Sequence, residues 1–270
     1  MIRVASYNMR KAIGIDRRRR PERTLAVWNE LDADVIALQE ADRRFGSRTS
    51  AVPLDLIEAE SGYKPVSLET RAGSIGWHGN AMLVKKEVEV LERHLFHLPS
   101  LEPRGAVLAE LKIGDSTLRV VGMHLDLSGL WRRRQAQAIL AHLAERDEPL
   151  PTVLMGDLNE WSTRGGCLRD FAEHHVLARC GLSFHARRPI AQLDRIMVTP
   201  DLEIAASGAH DSATSRRASD HLPVWADLLP VGEPQRVPAP SASSSSAGSG
   251  GGWASRLRSS IASQSRKGRR

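Results

Sequence analysis

Cysteine is nearly missing from this chain: Cys167 and Cys180 are the two present in 270 residues. Two are too few for a disulfide framework or a cysteine metal cluster, and they read as free, buried or half-buried thiols in a reducing compartment. Tyrosine and phenylalanine are also scarce, at two and four beside six tryptophans. That leaves little ring surface on which bare nucleobases could stack. No apolar run approaches the ~20 residues that span a bilayer. The opening residues Met-Ile-Arg-Val-Ala-Ser-Tyr-Asn enter a strand without a charged-then-apolar leader. A cytoplasmic body acting as a monomer is expected. A basic excess is missing from most of the chain too, despite a net charge of +6. Seven of the 38 basic residues and one of the 32 acidic ones lie beyond residue 230, so the first 230 residues hold 31 of each. The basic signal belongs to the tail and not to the body. No fixed-period repeat is present.

What the chain does have is a hydrophobic content of 41%, enough to bury a full core. Ile2–Asn8 reads as a first strand. Arg17–Arg20 is a solvated loop leading to Pro21, a good first helical residue. Leu25, Trp28 and Leu31 then form one helical face. Asp34–Glu40 is a second buried strand, and residues 54–60 a short helix. Strands follow near 80–85 and 88–98, then at 106–113 and 117–125 about a Gly114-Asp115 turn. Residues 130–146 predict a helix with Leu130, Ala136, Ile139, Leu140 and Leu143 inward and its arginines outward. A strand at 152–155, a short helix near 168–173 and strands near 193–198, 202–207 and 222–228 complete the body. Strands and helices do not alternate strictly, which predicts two sheets packed face to face with helices outside. Two regions follow: a catalytic-sized domain over 1–230 and a Pro/Ser/Gly-rich linker with a basic tail over 231–270. In that tail Trp253, Leu257 and Ile261 fall at i, i+4 and i+8. The stretch is either a basic amphipathic helix on an anionic membrane or a disordered basic tail.

The chemistry centres on Val153–Trp161. A short buried strand ends at Gly156, and Asp157 and Asn159 follow two residues apart, so both can point the same way. Ligands of open α/β sheets sit at such C-terminal strand ends. An isolated G-D-x-N is equally an Asx-turn. The other polar strand ends decide between them: Asn8, Glu40, His124 with Asp126, Asp194, and the pair Asp220-His221. One strand-end carboxylate is a cap. This many, with no cysteine and two histidines, form an oxygen-rich set suited to Mg²⁺, Mn²⁺ or Ca²⁺ rather than structural zinc.

The segments S-Y-N-M (6–9), L-Q-E (38–40), G-N-A-M-L (79–83), M-H-L-D (123–126), G-D-L-N (156–159), L-D-R-I (193–196) and S-D-H-L-P-V (219–224) occur in this order. The ordered set resembles the endonuclease/exonuclease/phosphatase superfamily, which includes DNase I, exonuclease III-type abasic endonucleases and neutral sphingomyelinases. The resemblance covers the whole body and implies a four-layer α/β sandwich with its site at one end of two sheets. It implies Glu40 as the principal metal carboxylate, with Asn8 and Asp220 beside it. Asp157 and Asn159 would position and deprotonate the attacking water. His221 would contact the scissile phosphate, with Asp194 fixing its tautomer, and His124 stands where DNase- and sphingomyelinase-like members carry a second histidine. Asp126 is either a partner of the metal, of His124 or of the substrate-phosphate site, or a satisfied loop carboxylate. Arg187 and Arg188 are either a phosphate clamp or plain surface. Three functions follow: hydrolysis of a lipid-headgroup or other small phosphodiester, a nuclease, or a non-catalytic binding module on the same scaffold. The neutral body, His124 and the tail favour the first.

Overall fold

A computed structural model describes residues 1–43, 49–68 and 73–231. The linker and the Trp253–Ile261 stretch therefore lie outside the described residues. Strand β1 (Ile2–Asn8) is followed by α1 (Pro21–Leu31), β2 (Val35–Gln39), α2 (Leu54–Glu60), β3 (Tyr63–Pro65), β4 (Gly76–Trp77) and β5 (Asn80–Lys85). Next come β6 (Glu89–His97), β7 (Gly105–Ile113), β8 (Ser116–His124), α3 (Gly129–Ala144), β9 (Thr152–Asp157) and α4 (Cys167–Ala172). Strands β10 (Val176–Leu177), β11 (Asp194–Val198) and β12 (Leu202–Ala209), the one-turn α5 (Ser215–Ala218) and β13 (Val224–Pro230) close the described chain. Pro21 opens α1 with its ring already at a helical φ. Asp32 ends that helix in the left-handed region at φ 45°.

Two mixed sheets form. The first runs β12-β13-β1-β2-β5-β3, with β4 also on β5, and the second runs β10-β11-β9-β8-β7-β6. Each has one parallel pair at its centre: β1 with β2, joined through α1, and β8 with β9, joined through α3. All other pairings are antiparallel.

Side-chain parity then builds the layers. Val4, Val35, Ala37, Val120, Val153, Met155 and Ile196 fill the space between the sheets. Ala5, Tyr7, Ile36 and Leu38 point the other way, onto Trp28 of α1 and Ile57 of α2. Val121, Met123 and Leu154 pack outward on Ala136, Ile139 and Phe171 of α3 and α4. The result is the expected sandwich of helix, sheet, sheet and helix. Both cysteines are buried and unbridged. No helix among the described residues is long and apolar enough to cross a membrane.

Helix α3 departs from its expected facing. Leu130 is exposed, because it lies in the first turn, ahead of the surface that packs on β8. Arg132 is buried instead, where its Nη1 donates to the carbonyls of Asp126 (3.3 Å) and Leu127 (2.6 Å).

Candidate active site

The parity that builds the inter-sheet core also builds the site. Asn8 keeps step with Val4, Asp157 with Val153 and Met155, Asp194 with Ile196, and His124 with Val120. Each therefore continues an inward-facing row at the point where its strand ends. Ladder pairing aligns them further, for His124 stands opposite Asp157, and Asp157 opposite Asp194. Gly156 permits this close approach: a Cβ there would lie 1.9 Å from the Met123 carbonyl oxygen.

Asp157 is the hub. Its Oδ2 accepts a hydrogen bond from Asn8 Nδ2 at 2.9 Å and lies 3.4 Å from His124 Nε2 and 3.8 Å from His221 Nε2. Its Oδ1 accepts the Asn159 backbone N–H at 3.0 Å, which is the Asx-turn. The Asx-turn reading of G-D-L-N is thus present, while Oδ2 of the same carboxylate faces Asn8 and the two histidines. Asn159 sits at φ 50° with Nδ2 donating to the Leu125 carbonyl at 2.9 Å, which fixes the direction of its amide oxygen.

His221 Nδ1 lies 2.8 Å from Asp194 Oδ2, which also accepts the Ser183 hydroxyl at 2.6 Å. Burial alone would lower the His221 pKa, but Asp194 and then Asp157 outweigh it and raise it to about 9. His124 is pushed down to about 3, chiefly by burial and against the pull of Asp157. At neutral pH the site therefore holds one imidazolium and one neutral imidazole.

The three residues expected at a metal flank this hub. Asp220 Oδ2 lies 3.3 Å from Arg10 Nε, and Glu40 pairs with Lys11, so one turn after β1 supplies both counter-charges. Asn8 Oδ1 accepts the Arg10 N–H at 3.1 Å. Glu40 holds φ 54°, a conformation costly for a non-glycine residue and most often kept at functional positions. Glu40 and His124 share a cleft of about 140 Å³ with Lys11, His78 and Arg104. Oxygen donors of this type fit a hard divalent cation, and the buried Oδ1 of Asp194 has no hydrogen-bond partner. Asp157, Asp194 and His221 could each bring one ligand atom to within 4.8 Å of the others. Within that trio Asp194 and His221 are joined by the 2.8 Å hydrogen bond, and Asp157 stands 3.8 Å from the His221 ring.

The smaller candidates separate. Asp126 is buried and accepts the backbone N–H groups of Ser128 (2.9 Å) and Leu101 (3.4 Å), so it is a satisfied loop carboxylate. Arg187 and Arg188 are exposed on the loop whose Ala186 N–H donates to the Asp220 carbonyl at 2.7 Å. Ser183, Arg10 and Lys11 went unnoticed in the sequence. Ser183 carries no pattern at all; Arg10 and Lys11 follow Asn8 directly, which was a usable signal. Ser219, inside a quoted segment, donates to the Asn8 carbonyl at 2.7 Å and joins both ends of the body.

Fold and site together define an α/β sandwich with a buried Asp/His cluster at the mouth of two packed sheets. Over residues 5–221 the chain matches the Endonuclease/Exonuclease/phosphatase family, and it belongs to that family. The family's enzymes are divalent-metal-dependent hydrolases of phosphoester bonds. Among curated proteins no sequence matches. Of solved structures, a mannosyl-6-phosphatase from Bacteroides thetaiotaomicron is similar with a TM-score of 0.69 at 21% identity, over 85% of this chain and 100% of that one. TDP2 from D. rerio complexed with single-strand DNA product gives 0.65 at 16%, over 84% and 98%. The human nocturnin catalytic domain with bound sulfate gives 0.64 at 17%, over 84% and 94%. At these identities the likeness concerns the fold.

Proposed function

We propose that this protein hydrolyses a phosphodiester, in a phospholipid headgroup or another small molecule, by in-line attack of water. The carrying observation is the chain Asn8–Asp157–His221–Asp194, drawn from both sheets and closed by hydrogen bonds of 2.9 and 2.8 Å at its ends. Glu40, Asn8 and Asp220 would hold Mg²⁺, with Mn²⁺ or Ca²⁺ as substitutes. Held by these residues, such an ion would supply positive charge to the phosphate and the leaving oxygen.

The remaining steps belong to side chains. Asp157 takes the proton of the attacking water, with Asn159 orienting that water. The imidazolium of His221 donates from Nε2 to a phosphoryl oxygen, while Asp194 holds its Nδ1 proton and is itself held by Ser183. His124, neutral, packs its Nε2 3.4 Å from the Asp157 carboxylate and limits its turning. Arg187 and Arg188 stand ready for a second anionic group of the substrate. The lipid reading includes contact of segment 253–270 with an anionic membrane, and it places the protein in the cytoplasm at the inner membrane surface, as a monomer.

A nuclease is the second reading. The exposed Trp161 meets Phe184 edge-on at 6.2 Å, and Phe184 lies 4.9 Å from the His221 ring, so one base could stack beside the site. A non-catalytic module has little support, because every expected position is filled. The deciding experiment is headgroup release from mixed anionic liposomes with Mg²⁺, comparing the intact protein with Asp157→Ala. Release that needs Mg²⁺ and disappears in the variant bears the reading out. No release from a preparation that nicks DNA transfers the site to the nuclease reading.

A further inference from the structure

Leu101, Leu127, Leu130, Trp161 and Ile190 are each between 60% and 69% exposed. Hydrogen bonds and a ring contact tie together the loops that carry them. The Leu101 N–H donates to Asp126, and Arg132 joins the Leu127 carbonyl (2.6 Å) to Glu160 Oε2 (3.2 Å), the residue before Trp161. Trp161 meets Phe184, whose carbonyl accepts the Ile190 N–H at 2.6 Å. Phe184 packs on His221. The apolar band thus runs to the imidazole of the site. Exposed apolar side chains grouped in this way mark interaction surfaces.

In the same loops Asp126 and Glu160 are buried, whereas Arg164, Arg187 and Arg188 are exposed, and Arg134 is exposed on α3. Glu102, an exposed acid, lies 3.8 Å from Arg104. Aliphatic groups interleaved with outward arginines and one Trp match the boundary layer of an anionic bilayer. Aliphatics enter the acyl edge there, Trp sits at headgroup level and arginines meet lipid phosphates. A nucleic-acid strand would use the ring and the arginines but not four aliphatic side chains.

We propose that the loops bearing Leu101, Leu127–Leu130, Trp161 and Ile190 form a docking rim that seats the cleft on an anionic lipid surface. The proposal rests on the lipid reading above and adds to it the side of the molecule that faces the membrane.

The test uses the full chain in EDTA, which stops hydrolysis, with vesicles of phosphatidylcholine and phosphatidylglycerol in equal parts. Co-sedimentation should weaken on the order of 10- to 100-fold in the double variant Leu127→Ser, Ile190→Ser, with an unchanged melting temperature showing that the fold is intact. Brominated lipid should quench wild-type fluorescence more than that of Trp161→Leu, which keeps an apolar side chain at the rim. Equal sedimentation of double variant and wild type overturns the proposal, as does equal quenching with Trp161→Leu. Loss of single-stranded oligonucleotide binding in the double variant, with vesicle binding unaffected, overturns it in favour of a nucleic-acid rim. Rim-dependent docking without headgroup release in Mg²⁺ supports the rim and defeats only the lipid-hydrolysis reading. Release that ignores the rim substitutions defeats only the rim.

Discussion

His221 and His124 lie against the same Asp157 oxygen, yet they stand in opposite protonation states. For His221 the folded pKa of about 9 exceeds the ordinary 6.5. Its protonation stabilises the fold fully below about pH 6.5, and that contribution is lost as pH rises through about 9. For His124 the folded value of about 3 lies below 6.5. The unfolded chain binds that proton first, so His124 withdraws stability as pH falls below about 6.5. In EDTA, urea unfolding across pH should show both limbs. His221→Asn should flatten the alkaline limb and His124→Asn part of the acid one; an unchanged alkaline limb in His221→Asn would falsify the assignment. Asp194→Asn should lower the His221 pKa, read by NMR of the imidazole protons, and cost on the order of 10²–10⁴-fold in turnover. A normal imidazole titration in that variant would show that Asp194 does not govern the ring. Asp157, Asp194 and His221 were legible in the sequence because each is a polar break at the end of an apolar strand. Ser183 was not, since a lone loop serine carries no period and its partner is set only by the fold.

Strands β8 and β9 carry His124 and Asp157 in register, and Gly156 keeps them close enough for that. Gly156→Ala drives a methyl into the Met123 backbone and should cost about 2–4 kcal/mol in a urea melt, with activity falling further than stability. A variant as stable as wild type would mean that the strands can separate without loss. In helix α3, Arg132 and Glu160 form a buried pair at 3.2 Å. Arg132→Ala leaves that carboxylate uncompensated and should cost about 3–5 kcal/mol, whereas Arg134→Ala, at an exposed position, should cost little. Equal effects would remove the distinction. The helix itself was legible from its period, but its facing was not. Three consecutive arginines look alike in sequence, and which one turns inward depends on Glu160, 28 residues away. Two-residue strands such as β4 and β10 were silent for a similar reason, as pairing partners and not their own residues create them.

Across the whole molecule, the mixed order of strands and helices was enough to predict two sheets with helices outside. It could not supply which strand ends meet, because that depends on packing between sheets. Met1–Gly232 is a compact unit in its own right, with one core between the sheets and one beneath each helical layer. A chain ending at Gly232 should therefore melt in one cooperative transition, checked by calorimetry; a broad or two-step melt would contradict that. Strand β1 lies between β2 and β13, and Ile2 stands opposite Leu228. Strand β1 leaves the ribosome long before β13 and must wait for it before its outer edge is covered. At about 5–20 residues per second the wait is on the order of ten to forty seconds. During that interval Asn8 has neither Ser219 nor the His221 segment beside it. The growing chain holds an open sheet edge and no finished site, and both conditions end together when β13 docks.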